Sequence, residues 1–427
     1  VTDRKPKVVY WNDQPSPYLV ARLNAVADRG NLDIEAWFNE IRGSDRSWDV
    51  VADAWRFNAR LLTRRRIGGY NVQVPVGELR QTRPDLLISL YDRPRLVVGL
   101  LAARVQADRV AVRCLPPSEA WSTPRLYSKA ATGFVFRMLD YAKCSGCDAC
   151  RYATSRGLPA ERMQVVTQSI DVEVYRRALS IPEDERVAVR NRLGLKGCVF
   201  VYVGRIWQGK GLDTLLAAYR QVRAASTVPT TLLMVGDGVD EERYRQQTAA
   251  LPDVVWAGFV QTTDLPMMYG VSDVFVFPTL GDPHGLVIDE AMAAGLPVIT
   301  SDAAGDVEQR VEAGVTGYVV RARDADSTAR RMRELAADPI ARAAMARNAS
   351  TRSDSLGLDR YAADFEAFVE QALALPKRRT VSAMAATAAG HALRMLPGSS
   401  RTANRELASQ GARPSRAVGY DTDQDGE

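Results

Sequence analysis

Short apolar runs alternate along the chain with longer stretches in which apolar residues recur every three to four positions. That alternation is the sequence form of parallel βαβ units. In the first half it predicts strands at Lys7–Trp11, Asp33–Phe38, Asp85–Leu90, Arg109–Cys114, Ala142–Cys144 and Met163–Val166. Tyr18 to Arg29 reads as a helix closed by Gly30, because glycine takes a left-handed helix end without steric cost. The second half predicts strands at Cys198–Val203, Thr231–Val235, Val254–Trp256, Val274–Phe277, Val298–Thr300 and Tyr318–Val320. Between the first two of these, Leu212, Leu215, Leu216, Tyr219 and Val222 share one helical face, as a sheet-packing helix requires. Six strands with crossover helices make a complete Rossmann-like domain. Segment 169–197 is polar, with Pro182 followed by Glu183, Asp184 and Glu185, and suits an interdomain connection.

Near the end, residues 358–374 show another amphipathic pattern, with Tyr361, Phe365, Phe368 and Val369 as its apolar side. From Pro376 onward small and polar residues dominate, and disorder is expected. The one weak helix there, Val381–Leu396, would turn Val381, Met384, Ala388, Ala392 and Met395 towards a membrane, with Gly390 interrupting it. The expected division is therefore a first domain over 1–175 and a second over 176–357. A helix over 358–375 returns towards the first domain, and a disordered tail fills 376–427. A chain of 427 residues is too long for one ordinary core, so two α/β domains fit its length.

Composition narrows the function classes. With 46% hydrophobic and 25% charged residues, the chain has the balance of a globular protein. The formal net charge is only +5, without the basic concentration and interleaved aromatics of nucleic-acid binders, so no nucleic-acid partner is expected. The mild arginine excess suits a phosphorylated ligand and an anionic membrane surface equally. No stretch reaches the roughly 20 apolar residues that span a bilayer. The polar start, Val1-Thr-Asp-Arg-Lys-Pro, reads as no secretory signal, and five cysteines make no disulfide framework. A cytoplasmic setting follows, including peripheral association with the inner face of the cell membrane.

Two motifs carry the chemistry. Gly204-Arg-Ile-Trp-Gln-Gly-Lys-Gly211 lies between a strand and a helix, where glycines let backbone approach a ligand and helix amides meet an anion. Arg205 and Lys210 add cations at the same mouth, which is what a diphosphate requires. An ordinary strand–helix turn with two solvated cations is the alternative. The second motif, Asp282-Pro-His-Gly-Leu-Val-Ile-Asp-Glu290, puts Gly285 at a helix N-terminus, with Asp282 in the loop before it. Glu290 then sits five residues into the helix, about 7.5 Å along its axis. Two acids so spaced suit hydroxyls on one extended ligand, or equally a solvated loop and a dipole-favoured helix acid.

In these motifs, and in Val-Gly-Asp-Gly at 235–238, Gly-Phe-Val at 258–260 and Ser-Asp-Val-Phe-Val-Phe-Pro-Thr at 272–279, the chain resembles the retaining glycosyltransferases of family 4, also called glycosyl transferases group 1. The resemblance runs through Glu-Ala-Met-Ala-Ala-Gly-x-Pro-Val-Ile at 290–299; the first half adds only its strand–helix rhythm and Gly157-Leu-Pro-Ala-Glu-Arg-Met. It implies the GT-B fold, an α/β architecture of two Rossmann-like domains facing across a cleft. It also implies transfer of a sugar from a nucleoside diphosphate sugar to a sugar or lipid-linked hydroxyl acceptor. Arg205, Lys210 and Asp282 would be the catalytic residues. Gly204, Gly236, Gly258, Phe259, His284, Gly285, Leu286 and Glu290 would surround the donor, with Glu290 on the ribose. The nucleotide sugar is a substrate, and neither cofactor nor metal ion is expected.

The chain departs from this pattern in places. Asp282 stands where the family usually has Glu, and His284 where it usually has Phe. With only two histidines, His284 and His391, the first domain lacks the His that many relatives place near the anomeric centre. Its Asp13-Gln-Pro-Ser-Pro17 loop lacks the usual glycines. Asp13, Arg93 and Arg113, each following a strand, are the acceptor-side candidates. Cys144, Cys147 and Cys150, with Cys114 as a fourth group, have spacing that would suit a metal, but buried structural thiols explain them as well. The competing functional readings are a sugar-nucleotide epimerase or phosphorylase of related fold, and a non-catalytic scaffold.

Overall fold

The computed structural model describes residues 4–41, 52–62, 65–67, 70–72, 74–90, 94–115 and 126–394. In chain order the strands of the first half are β1 (Lys7–Asn12), β2 (Asp33–Phe38), β3 (Asn58–Leu61), β4 (Arg65–Ile67), β5 (Tyr70–Val72), β6 (Leu86–Ser89), β7 (Arg109–Cys114), β8 (Tyr141–Cys144) and β9 (Met163–Val165). Those of the second half are β10 (Cys198–Val203), β11 (Thr230–Val235), β12 (Val254–Gly258), β13 (Val274–Phe277), β14 (Val298–Ser301) and β15 (Gly317–Val320). The sheets run β3-β2-β1-β6-β7-β8-β9 and β12-β11-β10-β13-β14-β15, all parallel. β4 and β5 pair apart as an antiparallel hairpin. In both sheets the order reverses beside the first strand, the arrangement of the doubly wound Rossmann-like fold.

Alternation along each strand sends side chains to opposite faces. Val9, Trp11, Leu87, Val110, Val112 and Ala142 share one core with Leu100, Ala103, Val135, Phe136, Ala149 and Ala153 from the helices on one face. Val8, Tyr10, Leu86, Ile88, Ala111 and Tyr141 share another with the Pro17–Arg29 helix and with Tyr361, Phe365, Phe368 and Val369 of the Leu358–Ala374 helix. The first of those helices begins where Ser16 accepts from the Leu19 amide (3.2 Å) and ends at left-handed Gly30. The chain passes into the second domain between Val166, which belongs to the first core, and Ile170, which belongs to the second.

Three expectations need correction. The boundary at 175 is too late, since Val172 and Tyr175 already pack in the second core. Segment 169–197 is not a plain connection, because it contains the Glu183–Leu193 helix, whose Val189 joins the same core. Disorder from Pro376 does not hold as far as 394, where Val381–Arg394 is a helix packed on those at Pro94–Gln106 and Leu126–Met138. Small residues rather than large apolar ones make that contact: Ala383 and Ala386 are buried, and a Cβ on Gly390 would stand 2.2 Å from the Leu101 carbonyl oxygen. Gly390 thus makes the contact instead of interrupting it, while Val381, Met384, Ala388 and Ala392 face outward. Among the described residues no helix is long and apolar enough to cross a membrane.

A buried ion pair fastens this last helix. Arg104 donates to Asp140 at 2.5 Å with both side chains almost fully buried, and Asp140 also accepts from the amides of Val110 (3.0 Å) and Arg378 (2.7 Å). Removing the charge of one partner strands the other in an apolar setting. Asp140→Asn is expected to lower stability by about 3 kcal/mol in urea unfolding and to speed proteolysis after residue 376. An unchanged urea midpoint would remove Asp140 as the fastening point.

Candidate functional site

In both sheets the loops on either side of the reversal leave the carboxyl edge in opposite directions, and the crevice between them is where such folds take ligands. In the second sheet the reversal lies between β10 and β13, whose following loops are the two motifs singled out above. They frame a cavity of about 550 Å³ lined by Gly204, Arg205, Lys210, Gly236, Phe259, Asp282, His284, Gly285 and Leu286, among others. Tyr18, Leu115 and Gln168 of the first domain close its far side. Gly236 has φ 131, and a Cβ there would stand 2.0 Å from the Gly204 carbonyl oxygen, so only glycine lets these two turns meet. Gly258 accepts from the Gly236 amide at 2.7 Å and does not itself line the cavity.

Charge in the cavity is organised by one ion pair. Lys210 Nζ meets Asp282 Oδ2 at 2.5 Å and lies 5.4 Å from the centre of the Phe277 ring. Asp282 Oδ1 accepts from the amides of Gly285 (2.6 Å) and His284 (3.0 Å). Burial alone would push the Asp282 carboxyl up, but Lys210 and the two amides outweigh it and hold it below the usual carboxylate range. Both its oxygens are therefore engaged within the protein. The Gly285 amide is taken as well, and Leu286 and Val287, whose amides open the Leu286–Ala293 helix, line the cavity.

His284 is buried, not solvated in its loop, and its Nε2 lies 3.1 Å from Asp289 Oδ2. Arg310 donates to Asp289 Oδ1 at 2.6 Å and to the carbonyl oxygens of His284 and Gly305. Burial and Arg310 lower the His284 pKa, so the ring is neutral at pH 7 and donates through Nε2 to the ionised Asp289. Its Nδ1 is buried without a partner. Arg310 stands outside both motifs, and only the fold shows that it ties the second motif to the following loop.

Glu290 does not line the cavity. It is fully buried behind Tyr18, whose hydroxyl donates to Oε1 at 2.6 Å across the domain boundary, while the Tyr269 hydroxyl donates to Oε2 at 2.8 Å. Burial pushes Glu290 up to about 7 against these hydrogen bonds, so it titrates near neutrality. Tyr18 was not singled out from sequence, because an aromatic on an amphipathic helix reads as core.

The acceptor-side candidates separate. Asp13 is buried and holds Asn39 through its side chain (2.7 Å), bracing the ends of β1 and β2 away from the cavity. Arg93 lies outside the described residues. Arg113, near the end of β7, is half-buried, and its Nε has no partner. Of the cysteines, Cys114 and Cys144 are buried register partners and Cys150 lies against Cys144 in thiol contact, whereas Cys147 stands apart, exposed and accepting from Gln309 of the second domain. Among the described residues no three His, Cys, Asp or Glu side chains are placed to share a metal ion. The Cys147 amide donates to Asp306 of the second domain at 3.1 Å, a second link across the boundary.

Comparison with known proteins agrees with this geometry. The family model for glycosyl transferases group 1 matches residues 197–338, the span that contains both motifs. The D-inositol 3-phosphate glycosyltransferase of Streptomyces avermitilis is 31% identical over 221 residues, 49% of this chain and 46% of that protein. A GDP-mannose-dependent monoacylated alpha-(1-6)-phosphatidylinositol monomannoside mannosyltransferase of Corynebacterium glutamicum is 34% identical over 184 residues, 41% of this chain and 47% of its own length. The chain thus matches less than half the length of these curated relatives. Similarity of fold extends further. Anabaena HepE, solved with UDP, superposes over 86% of this chain and 100% of its own with a TM-score of 0.70 at 19% identity. Sucrose-phosphate synthase of Thermosynechococcus elongatus covers 87% of this chain and 100% of its own, with a TM-score of 0.67 at 17% identity. With two parallel Rossmann-like sheets facing across a cleft, the chain has the GT-B fold, and its residues 197–338, which hold both motifs, match the glycosyl transferases group 1 family.

Proposed function

We propose that the protein transfers a sugar from a nucleoside diphosphate sugar to an acceptor hydroxyl with retention of configuration. The observation that carries the reading is the cavity at the β10/β13 reversal, where Arg205, Lys210 and the first amides of the Leu286–Ala293 helix converge. A diphosphate seated there meets two cations and a helix N-terminus, donors that are in place before charge grows on the leaving group. Asp282 acts as a positioning residue, fixing Lys210 on one side and the helix start on the other. Fixed cations supply the charge that a divalent ion supplies elsewhere, so no metal is assigned to the reaction. As the anomeric C–O bond breaks, the departing phosphate oxygen takes the proton of the acceptor hydroxyl. The new glycosidic bond forms on the face the diphosphate leaves.

HepE was solved with UDP and with UDP-glucose, which supports a nucleotide sugar as donor here. The Streptomyces and Corynebacterium relatives are named for acceptors that are an inositol phosphate and a phosphatidylinositol mannoside, which supports glycan or glycolipid synthesis and an acceptor of that polarity. Glu290 is assigned to the ribose. Hydroxyls of the donor would replace that of Tyr18 on its carboxylate as the Tyr18 contact opens.

Arg205→Ala and Lys210→Ala should each reduce kcat/KM by about 10²- to 10³-fold with the nucleotide sugar that binds best, in protein whose circular dichroism is unchanged; near-normal turnover in both would refute the assignment. The ribose role has a pH signature. A ligand that prefers the Glu290 carboxylate binds more tightly as pH rises through about 7, where that group loses its proton. Calorimetric affinity for the intact nucleotide sugar, whose own diphosphate does not titrate there, should therefore climb from pH 6 to pH 8. The climb should vanish in Glu290→Gln, and an identical pH profile in that variant would take Glu290 out of the donor site.

A further inference from the structure

The first domain carries a second concentration of positive charge. Arg113 on β7 and Lys143 on β8 are direct register partners on adjacent parallel strands and project to the same face. Arg22 reaches them from the Pro17–Arg29 helix, and the Tyr361 ring lies between, 5.5 Å from the Arg22 guanidinium and 5.1 Å from Lys143 Nζ. Arg22 is only 4% exposed and Lys143 only 1%. Their hydrogen bonds go to neutral groups: Arg22 to the Tyr18 carbonyl and the Gln168 side chain, both at 3.0 Å, and Lys143 to the Val166 carbonyl at 3.3 Å. Arg113 Nε is buried with no partner, although the rest of that side chain is half-exposed at the carboxyl edge of the sheet.

Among the described residues no carboxylate pairs with any of the three. Buried cations are ordinarily neutralised by an acid, because leaving charge in an apolar setting is costly. The titratable groups that face Lys143 are Arg22, Arg113, Cys144 and the Tyr361 over which it lies, and burial together with the two arginines pushes its pKa well down. The cluster is next to the cavity. Tyr18 and Gln168, which hold Arg22, and Leu115, two residues beyond Arg113, form the first-domain wall facing Arg205. Three cations that converge without an acid match a phosphate dianion, which offers several acceptor oxygens and two charges to guanidinium forks.

We propose that Arg22, Arg113 and Lys143 form a phosphate-binding site on the first domain, and that the phosphate it takes is carried by the acceptor. The second half of that statement rests on the transfer reading above; the first half does not. Such a site holds the acceptor by its charge at the side of the cleft opposite the donor diphosphate.

Calorimetric titration of the full chain with inorganic phosphate tests the site, with Arg205→Ala run in parallel to separate it from the donor cradle. Phosphate affinity at the site should survive Arg205→Ala and weaken at least tenfold in Arg113→Gln and in Lys143→Met. The Arg113 side chain makes no hydrogen bond among the described residues, so its replacement by glutamine does not threaten the fold. Lys143→Met should also raise the Tm of the unliganded protein, since it removes an unpaired buried charge, and a purely structural lysine would do the reverse. Less than a twofold change of phosphate affinity in both variants overturns the site. Glucose 6-phosphate in solution and phosphatidic-acid vesicles are then compared as competitors. Displacement of phosphate by either supports the acceptor assignment and names its source, and displacement by neither overturns it. If phosphate binds as described while no nucleotide sugar supports transfer, the transfer reading fails and the anion site stands.

Discussion

The reversal of strand order between β10 and β13 is the constraint on which the rest of the site depends. Parallel strands on either side of a reversal send their loops apart, and the backbone alone opens a crevice at the carboxyl edge. Lys210 and Asp282 bridge that crevice from its two loops, and Asp282 goes on to hold the amides of His284 and Gly285 that lead into the helix starting at Leu286. One ion pair thus sets the position of a cation, the direction of a helix dipole and the distance between two turns. His284, Asp289 and Arg310 brace the start of the same helix by a buried hydrogen-bond network. Rigidity of this kind suits the proposed transfer, since hydrogen-bond donors that must reorganise during a reaction lose much of their worth.

The two domains touch through polar contacts at the cleft as well as through the crossing chain. Tyr18 rests on Glu290, and Asp306 holds the amide that opens the Cys147–Ser155 helix. Both are hydrogen bonds that a ligand or water can replace, unlike the apolar packing that fixes each domain internally. A cleft joined in this way can open and close without disturbing either core. The Leu358–Ala374 helix limits that freedom, because it returns from the second domain to complete the first core on the same face as Tyr18.

Charge is distributed unequally between the two walls. The second-domain wall balances Lys210 with Asp282 and Arg310 with Asp289. Behind the opposite wall, Arg22, Arg113 and Lys143 gather with aromatic and carbonyl contacts only. A net charge of +5 spread over 427 residues hides this asymmetry completely. It exists because register pairs Arg113 with Lys143 and because a helix from the far end of the chain lays Tyr361 across them.

The sequence by itself determined the two parallel sheets, most strand positions and the two motifs that frame the cavity, because period and local glycine, proline and charge signals are written in neighbouring residues. Arg205, Lys210 and Gly285 were legible for that reason. The short β3 edge strand and the β4–β5 hairpin were not, since their residues are polar and their pairing partners supply the order. The helix from Val381 was legible as a weak one, but its packing on the first domain was not, because alanines and a glycine make its contact and small residues give almost no periodic signal. What tertiary structure alone decided is which polar groups are buried and with whom. It placed Glu290 behind Tyr18, drew Arg310 to Asp289, turned Cys147 away from Cys144 and assembled the cations of the first domain. Those pairings join residues up to hundreds of positions apart, and burial, which sets their charge and strength, is a property of the packed chain and not of any segment of it.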